Sequence, residues 1–242
     1  MTERVRYTEL RPEGFRERLA DAPIAYVPLG TLEWHGEHLP LGSDGIQSEG
    51  FFIELAREAG GIVLPMLYLG PCRMTRVDGS EYYGMDILSF EDEPRQLDGS
   101  AYWVSDELFG DVLEATLKQL ARAGFEVVVM HGHGPSTEFV EEHADEWEDR
   151  FDVAVLTCWR EDESDGLGIM TDHAAANETS LVMALRPELV EMDALPEEEW
   201  PLGIMGEDPR EVARAERGQR AIELQRDRMA DVLGAALEAR DR

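Results

Sequence analysis

Glu33, His35 and Asp44 are the side chains whose types and spacing most directly suggest chemistry. They lie in the stretch Pro28-Leu29-Gly30-Thr31-Leu32-Glu33-Trp34-His35-Gly36-Glu37-His38-Leu39-Pro40-Leu41-Gly42-Ser43-Asp44. Glu33 and His35 are two residues apart, so in an extended segment both point to one side. Asp44 follows after eight intervening residues, enough for a loop to return. Two carboxylates and an imidazole converging on one point suit zinc, manganese or iron. A lone Glu-x-His pair is more often a solvated loop pair. This stretch is more specific, because Pro28 and Pro40 stiffen it and two further acids lie within reach.

The elements that must position these groups read as alternating strands and helices. Ile24–Leu29 is a buried apolar strand, and the loop leaving it carries Glu33, His35 and Asp44, where open α/β sheets place their ligands. A helix is expected over Ile46–Ala59, stopped by Gly60-Gly61, and a second strand over Ile62–Leu67. Residues 68–104 show no sustained period and read as a lid or oligomer-contact region, or as one that hides short strands; Tyr82, Tyr83 and Trp103 either pack it or line a lid, and Arg73 and Arg76 are weak candidates for receiving an anionic group. Ser105–Arg122 reads as an amphipathic helix capped by Ser105, with Leu108, Val112, Ala115, Leu117 and Leu120 as its buried stripe. Phe125–Met130 is a continuous apolar run, hence a central parallel strand, and it delivers His131-Gly132-His133-Gly134. A helix over Thr137–Arg150 carries His143, read as a surface residue, and a strand over Phe151–Leu156 follows. Helices are then expected over Glu178–Leu185 and as one long element over Pro209–Arg240, with Gly218 and Gly234 as weak points.

Three blocks resemble the creatininase (creatinine amidohydrolase) family. Glu33-Trp34-His35-Gly36-Glu37-His38-Leu39-Pro40-Leu41-Gly42-Ser43-Asp44 matches its signature, Glu-x-His-Gly-x-His-Leu-Pro-x-Gly-Thr-Asp. His131-Gly132-His133-Gly134 and Asp172-His173-Ala174-Ala175-Ala176-Asn177-Glu178-Thr179-Ser180 follow in the family's order. The resemblance implies one α/β domain over residues 1–242, a three-layer αβα sandwich with a mainly parallel central sheet. It also implies a homo-oligomer, with a hexamer as one candidate size, and two divalent metal ions (Zn, Mn or Fe). Carried over by position, one ion takes Glu33, Asp44 and His133, and the other takes His35 and shares Asp44. The family's usual fifth ligand falls at Pro135, which cannot bind a metal, so Glu178 is expected to replace it. His173 is implied as the general acid for the leaving amine. His38, His131, Trp159 and Asp172 are expected to support the ligands or touch substrate.

What the resemblance implies for activity is hydrolysis of a C–N amide bond in a small non-peptide or cyclic amide, or a formamide. The departures at His131, Pro135 and Ser136 keep a second reading open: a metal-binding structural oligomer without catalysis. Composition narrows the partners. Of 242 residues, 52 are acids and 22 are Lys or Arg, for a net charge of -30, and Lys118 is the only lysine. No basic stripe is present, which argues against nucleic acid or an anionic membrane as a partner. Such an acidic coat is tolerated in a halophilic cytoplasm, where salt screens self-repulsion. Cys72 and Cys158 are expected to be free thiols. No signal peptide or membrane span is visible, so a cytoplasmic protein is expected.

Overall fold

Ile24, Tyr26, Val127 and Val129 alternate in the chain with Ala25, Val27, Val128 and Met130, and the two sets feed two different cores. That alternation is the signature of a parallel sheet covered on both faces. The structure is a computed structural model and describes residues 4–87, 94–158 and 166–240. Its central sheet has the order β2-β1-β7-β8, with every neighbouring pair parallel: β1 (Ile24–Leu29), β2 (Ile62–Val63), β7 (Val127–Gly132) and β8 (Ala154–Leu156).

Helices α2 (Ser43–Glu58), α5 (Ala176–Leu185) and α7 (Ala215–Arg240) cover one face, through Phe51, Phe52, Leu55, Leu181, Ile222 and Met229. Helices α1 (Pro12–Asp21), α3 (Asp106–Ala123) and α4 (Gly134–Phe151) cover the other, through Leu19, Phe109, Leu113, Leu117, Val140 and Trp147. The three-layer αβα sandwich expected from the sequence is therefore the fold. No described helix is long and apolar enough to cross a membrane, and Cys72 and Cys158 are free.

Several expectations are corrected. The second strand stops at Val63, because Pro65 has no N–H to give the ladder; Leu67 rejoins β1 only at an isolated bridge to Leu29. The first half of the α3 stripe is shifted by one residue, with Phe109 and Leu113 buried and Leu108 exposed, while Leu117 and Leu120 are buried as expected. Phe109, the larger side chain, takes the core and packs edge-on against Phe139. Residues 68–104 do hide short strands, one of the two readings of that region: β3 (Gly70–Pro71) pairs with β6 (Trp103–Val104), and β4 (Met74–Val77) forms a hairpin with β5 (Ser80–Tyr83). Arg73 and Arg76 face acids, Glu138 and Glu81 respectively. His143 is half-buried and stacked between Phe139 and Trp147, not free on the surface.

The long C-terminal helix is interrupted. Pro209–Val212 forms a single turn, α6, and Ala213 is extended before α7 begins. The break lets Arg214 N–H bond the Ser180 hydroxyl at 3.1 Å. Gly218, expected as a weak point, is instead a contact: a Cβ there would lie 1.9 Å from the Ser180 carbonyl oxygen. Only glycine lets α7 approach α5 this closely. That crossing fixes the helix that carries Glu178.

Candidate metal centre

β1 and β7 run side by side, and each releases its chain at the same edge of the sheet, Leu29 opposite Gly132. A Cβ on Gly132 would sit 1.6 Å from the Leu29 carbonyl oxygen, so no other residue fits where the two strands end. His133 then serves as the N-cap of α4. Asp44 lies in the first turn of α2 and Glu178 in the first turn of α5. The sequence placed Asp44 on a loop; it stands on a helix, where the positive end of the dipole favours its charge. Three helix N-termini thus supply Asp44, His133 and Glu178, and the loop after β1 supplies Glu33 and His35.

The five side chains are brought together and buried; each of the three carboxylate residues is 2% exposed. Asp44 presents one oxygen to each imidazole: Oδ1 lies 3.0 Å from His35 Nε2 and Oδ2 lies 3.1 Å from His133 Nδ1. Glu33 Oε2 is 3.5 Å from His133 Nδ1, and Glu178 Oε2 is 3.6 Å from His35 Nε2. The result is two clusters, Glu33–Asp44–His133 and His35–Asp44–Glu178, joined at Asp44. In a third, Glu33, His35 and His173 have potential ligand atoms within 4.8 Å of one another.

Electrostatics follow from this crowding. Burial pushes Glu33 and Glu178 up, Glu178 well above the usual range, with Asp44 adding to both. Burial would also raise Asp44, but His35 and His133 hold it well below the ordinary carboxylate value. Burial acts to lower His35, yet Asp44, Glu178 and Glu33 hold it up at about 10. His133 is raised against the pull of burial by Glu33 and Asp44. Burial and the neighbouring His35 push His173 down to about 3 and His38 down to about 4. Three acids could carry one more charge than the two imidazoles balance, and burial suppresses that excess by favouring protons on Glu33 and Glu178.

Supporting contacts fix the rings. His35 Nδ1–H donates to the Glu33 carbonyl at 3.1 Å, and with the ring held charged Nε2–H donates to Asp44 at 3.0 Å. His173 Nε2–H donates to the Trp34 carbonyl at 2.8 Å, and its ring lies 4.3 Å from that of His35. His38 Nε2 meets the Thr179 hydroxyl at 2.9 Å, tying the first block to the third. Asp172 accepts from the N–H groups of Asn177 and Glu178 and so caps the start of α5. Glu178 Oε2 accepts from Ala174 N–H at 2.8 Å, and Ala174 holds a positive φ of 52°, a strained conformation for alanine. His131 turns away and bonds the Ile169 carbonyl, outside all three clusters. Trp159 lies outside the described residues.

Two contacts at the site are not assigned to it by the sequence, although Trp103 reads there as a packing or lid residue of the 68–104 region. Met85 N–H bonds the Glu33 carboxylate, and Trp103 packs its ring 5.7 Å from that of His133. A backbone donor leaves no mark on residue type, and Trp103 reaches the site only because β6 pairs with β3.

The site and fold can be set beside known proteins. The model of the family described as "Creatininase: Creatinine amidohydrolase" matches residues 8–233. The creatinine amidohydrolase of Pseudomonas putida is 27% identical over 213 residues, covering 80% of this chain and 76% of that one. A crystal structure of creatinine amidohydrolase superimposes with a TM-score of 0.74 at 22% identity, over 97% of this chain and 98% of that one. A variant creatininase of Zn-Zn type gives a TM-score of 0.72 at 21% identity, over 96% and 98% of the two chains. A family match spanning nearly the whole sequence, on a chain whose three motif blocks converge at one sheet edge, places this protein in the creatininase family.

Proposed function

We propose that this chain is a metal-dependent hydrolase of a C–N amide bond in a small non-peptide or cyclic amide, or a formamide. The observation that carries the reading is the pair of clusters joined at Asp44. Their donors are mixed oxygen and imidazole nitrogen, which suits Zn, Mn or Fe. Divalent cations would take the place of the protons that this buried site otherwise keeps on its raised carboxyls and imidazoles. Glu33, Asp44 and His133 would hold one ion and His35, Asp44 and Glu178 the other, as the Zn-Zn type of a variant creatininase also suggests. Such a pair supplies Lewis acidity, lowering the pKa of a water toward about 7 and polarising the scissile carbonyl.

The chain's own groups do the remaining work. Asp44 holds the two clusters in register through its two oxygens. His173 moves the proton. Its Nε2–H is committed to the Trp34 carbonyl, so Nδ1 is the nitrogen left with a lone pair. That nitrogen would accept the proton of the attacking water and then give it to the leaving nitrogen. The general acid expected from the sequence thus begins the cycle as a base. Burial of the five cluster residues excludes bulk water from the reacting centre. We further expect a homo-oligomer acting on a small-molecule substrate.

An activity screen with added Zn²⁺, Mn²⁺ or Fe²⁺ in high salt tests this reading. The panel holds creatinine, other cyclic ureides and a formylaminopyrimidine nucleotide. Turnover of at least one member, abolished by a chelator, is expected. Two bound metals without turnover on any member would instead favour the non-catalytic oligomer.

A further inference from the structure

Both ring nitrogens of His35 are engaged, Nδ1 by the Glu33 carbonyl and Nε2 by Asp44. His133 differs. Its Nδ1 faces Asp44 and Glu33, while its Nε2 is buried with no hydrogen-bond partner. Two hydroxyl oxygens nearby are in the same condition, Thr31 Oγ1 and Ser136 Oγ. Thr31 and Ser136 are 0% exposed and His133 is 5% exposed.

These groups meet around Gly70 on β3. A Cβ built on Gly70 would lie 2.9 Å from Ser136 Oγ, 3.3 Å from His133 Cδ2 and 3.9 Å from Thr31 Cβ. Only glycine lets β3 come this close to Ser136 Oγ and to the Nε2 edge of the His133 ring. Buried polar atoms without a partner are rare, and buried waters typically join about three of them. One imidazole N–H and two hydroxyl oxygens form a suitable set: one donor into the water and two acceptors for its protons.

We propose that Thr31 and Ser136 are positioning residues for His133, acting through one buried water beside Gly70. His133 Nε2–H donates to the water, and the water donates to Thr31 Oγ1 and Ser136 Oγ. With a cation bound, this would fix the tautomer whose Nδ1 is free to ligate beside Asp44 and Glu33. Trp103, packed against the same ring, sets its tilt. The proposal rests on the metal reading for its consequence, because a ligating histidine is oriented by what its other nitrogen meets. Ser136 and Thr31 touch neither ion nor substrate in this scheme.

The test joins crystallography to zinc-competition titration of the full chain. An ordered water within hydrogen-bonding distance of Thr31 Oγ1, Ser136 Oγ and His133 Nε2 is expected in the wild type and lost in Gly70→Ala. Gly70→Ala and the Thr31→Val/Ser136→Ala double variant should each weaken zinc binding about 10–100-fold, while the metal-free proteins still unfold cooperatively. Ser136→Thr, which keeps the hydroxyl, should bind zinc within about threefold of wild type; losses of 10-fold or more are the mark of a lost supporting contact. A wild-type structure with no water there, or variants that bind zinc as tightly as wild type, would overturn the proposal. A wild type that binds no zinc would count against the functional reading instead, and the crystallographic result would still decide this one.

Discussion

Glu33, Asp44 and Glu178 carry the same functional group as the acids of the outer coat, in opposite settings. Asp227 pairs with Arg226 at 2.8 Å on the outside of α7, with its side chain 67% exposed. Water solvates such a carboxylate well, and an exposed pair contributes little to stability. Asp44, at a similar distance from His35, has lost its water and shares its field with two other acids. Burial converts a solubilising group into one that needs a counter-charge. The comparison teaches that the net charge of -30 is mostly irrelevant to the chemistry. Three carboxylates held by two helix starts and one loop decide it.

The contrast breaks most visibly at Asp44. Asp44→Ala removes both bridging oxygens, so metal content should fall close to zero and turnover by about 10³-fold or more, the scale of several kcal/mol of lost charge stabilisation. Steady-state rates on whichever amide the wild type hydrolyses would check this; wild-type turnover would break the account. Glu178→Gln should be milder, since it serves one cluster only. We expect one ion retained and the other weakened, read by metal analysis after dialysis.

His38→Ala lies one layer further out and should weaken metal affinity by about 10–100-fold. Thr179→Val, which removes the hydroxyl that His38 meets, should act in the same direction. If both bind zinc like wild type, the link between the first and third blocks serves stability alone.

The metal-free protein should have a stability maximum near neutral pH. His35 is raised to about 10, so its contribution is full below its unfolded value near 6.5 and is lost as pH rises through 10. His38 and His173 are depressed to about 4 and about 3, so theirs is full above about 6.5 and is lost as pH falls through those values. Metal binding must then displace a proton from His35 at pH 8, which calorimetry in buffers of different ionisation enthalpy would detect. No proton release would contradict the ordering of charges in the site.

The smallest effect belongs to the coat. Asp227→Asn should shift Tm by no more than about 2 °C and leave metal content unchanged. The coat acts collectively instead. Unfolding midpoints should rise from 0.1 M to 3 M KCl, roughly the range over which the Debye length shrinks from about 10 Å to less than 3 Å. Highest stability at low salt would sink the halophilic reading.

Much of this was legible in the chain, for identifiable reasons. Strands β1 and β7 are apolar on both faces, so composition alone marks them. The three blocks carry the chemistry in residue types that burial would otherwise forbid. What was not legible depends on contacts between distant segments. The break at Ala213 exists because Arg214 finds Ser180. The shift in the first half of the α3 stripe exists because Phe109 finds Phe139. His143 was read as exposed because its neighbours in sequence are acidic, whereas its neighbours in space are Phe139 and Trp147.

The central claim is that Asp44 joins two cation-binding clusters in one dry pocket. Metal analysis of the wild-type chain, loaded with zinc and dialysed against metal-free buffer, tests it most directly. Two zinc ions per chain is the expected result, and fewer than one would contradict the account.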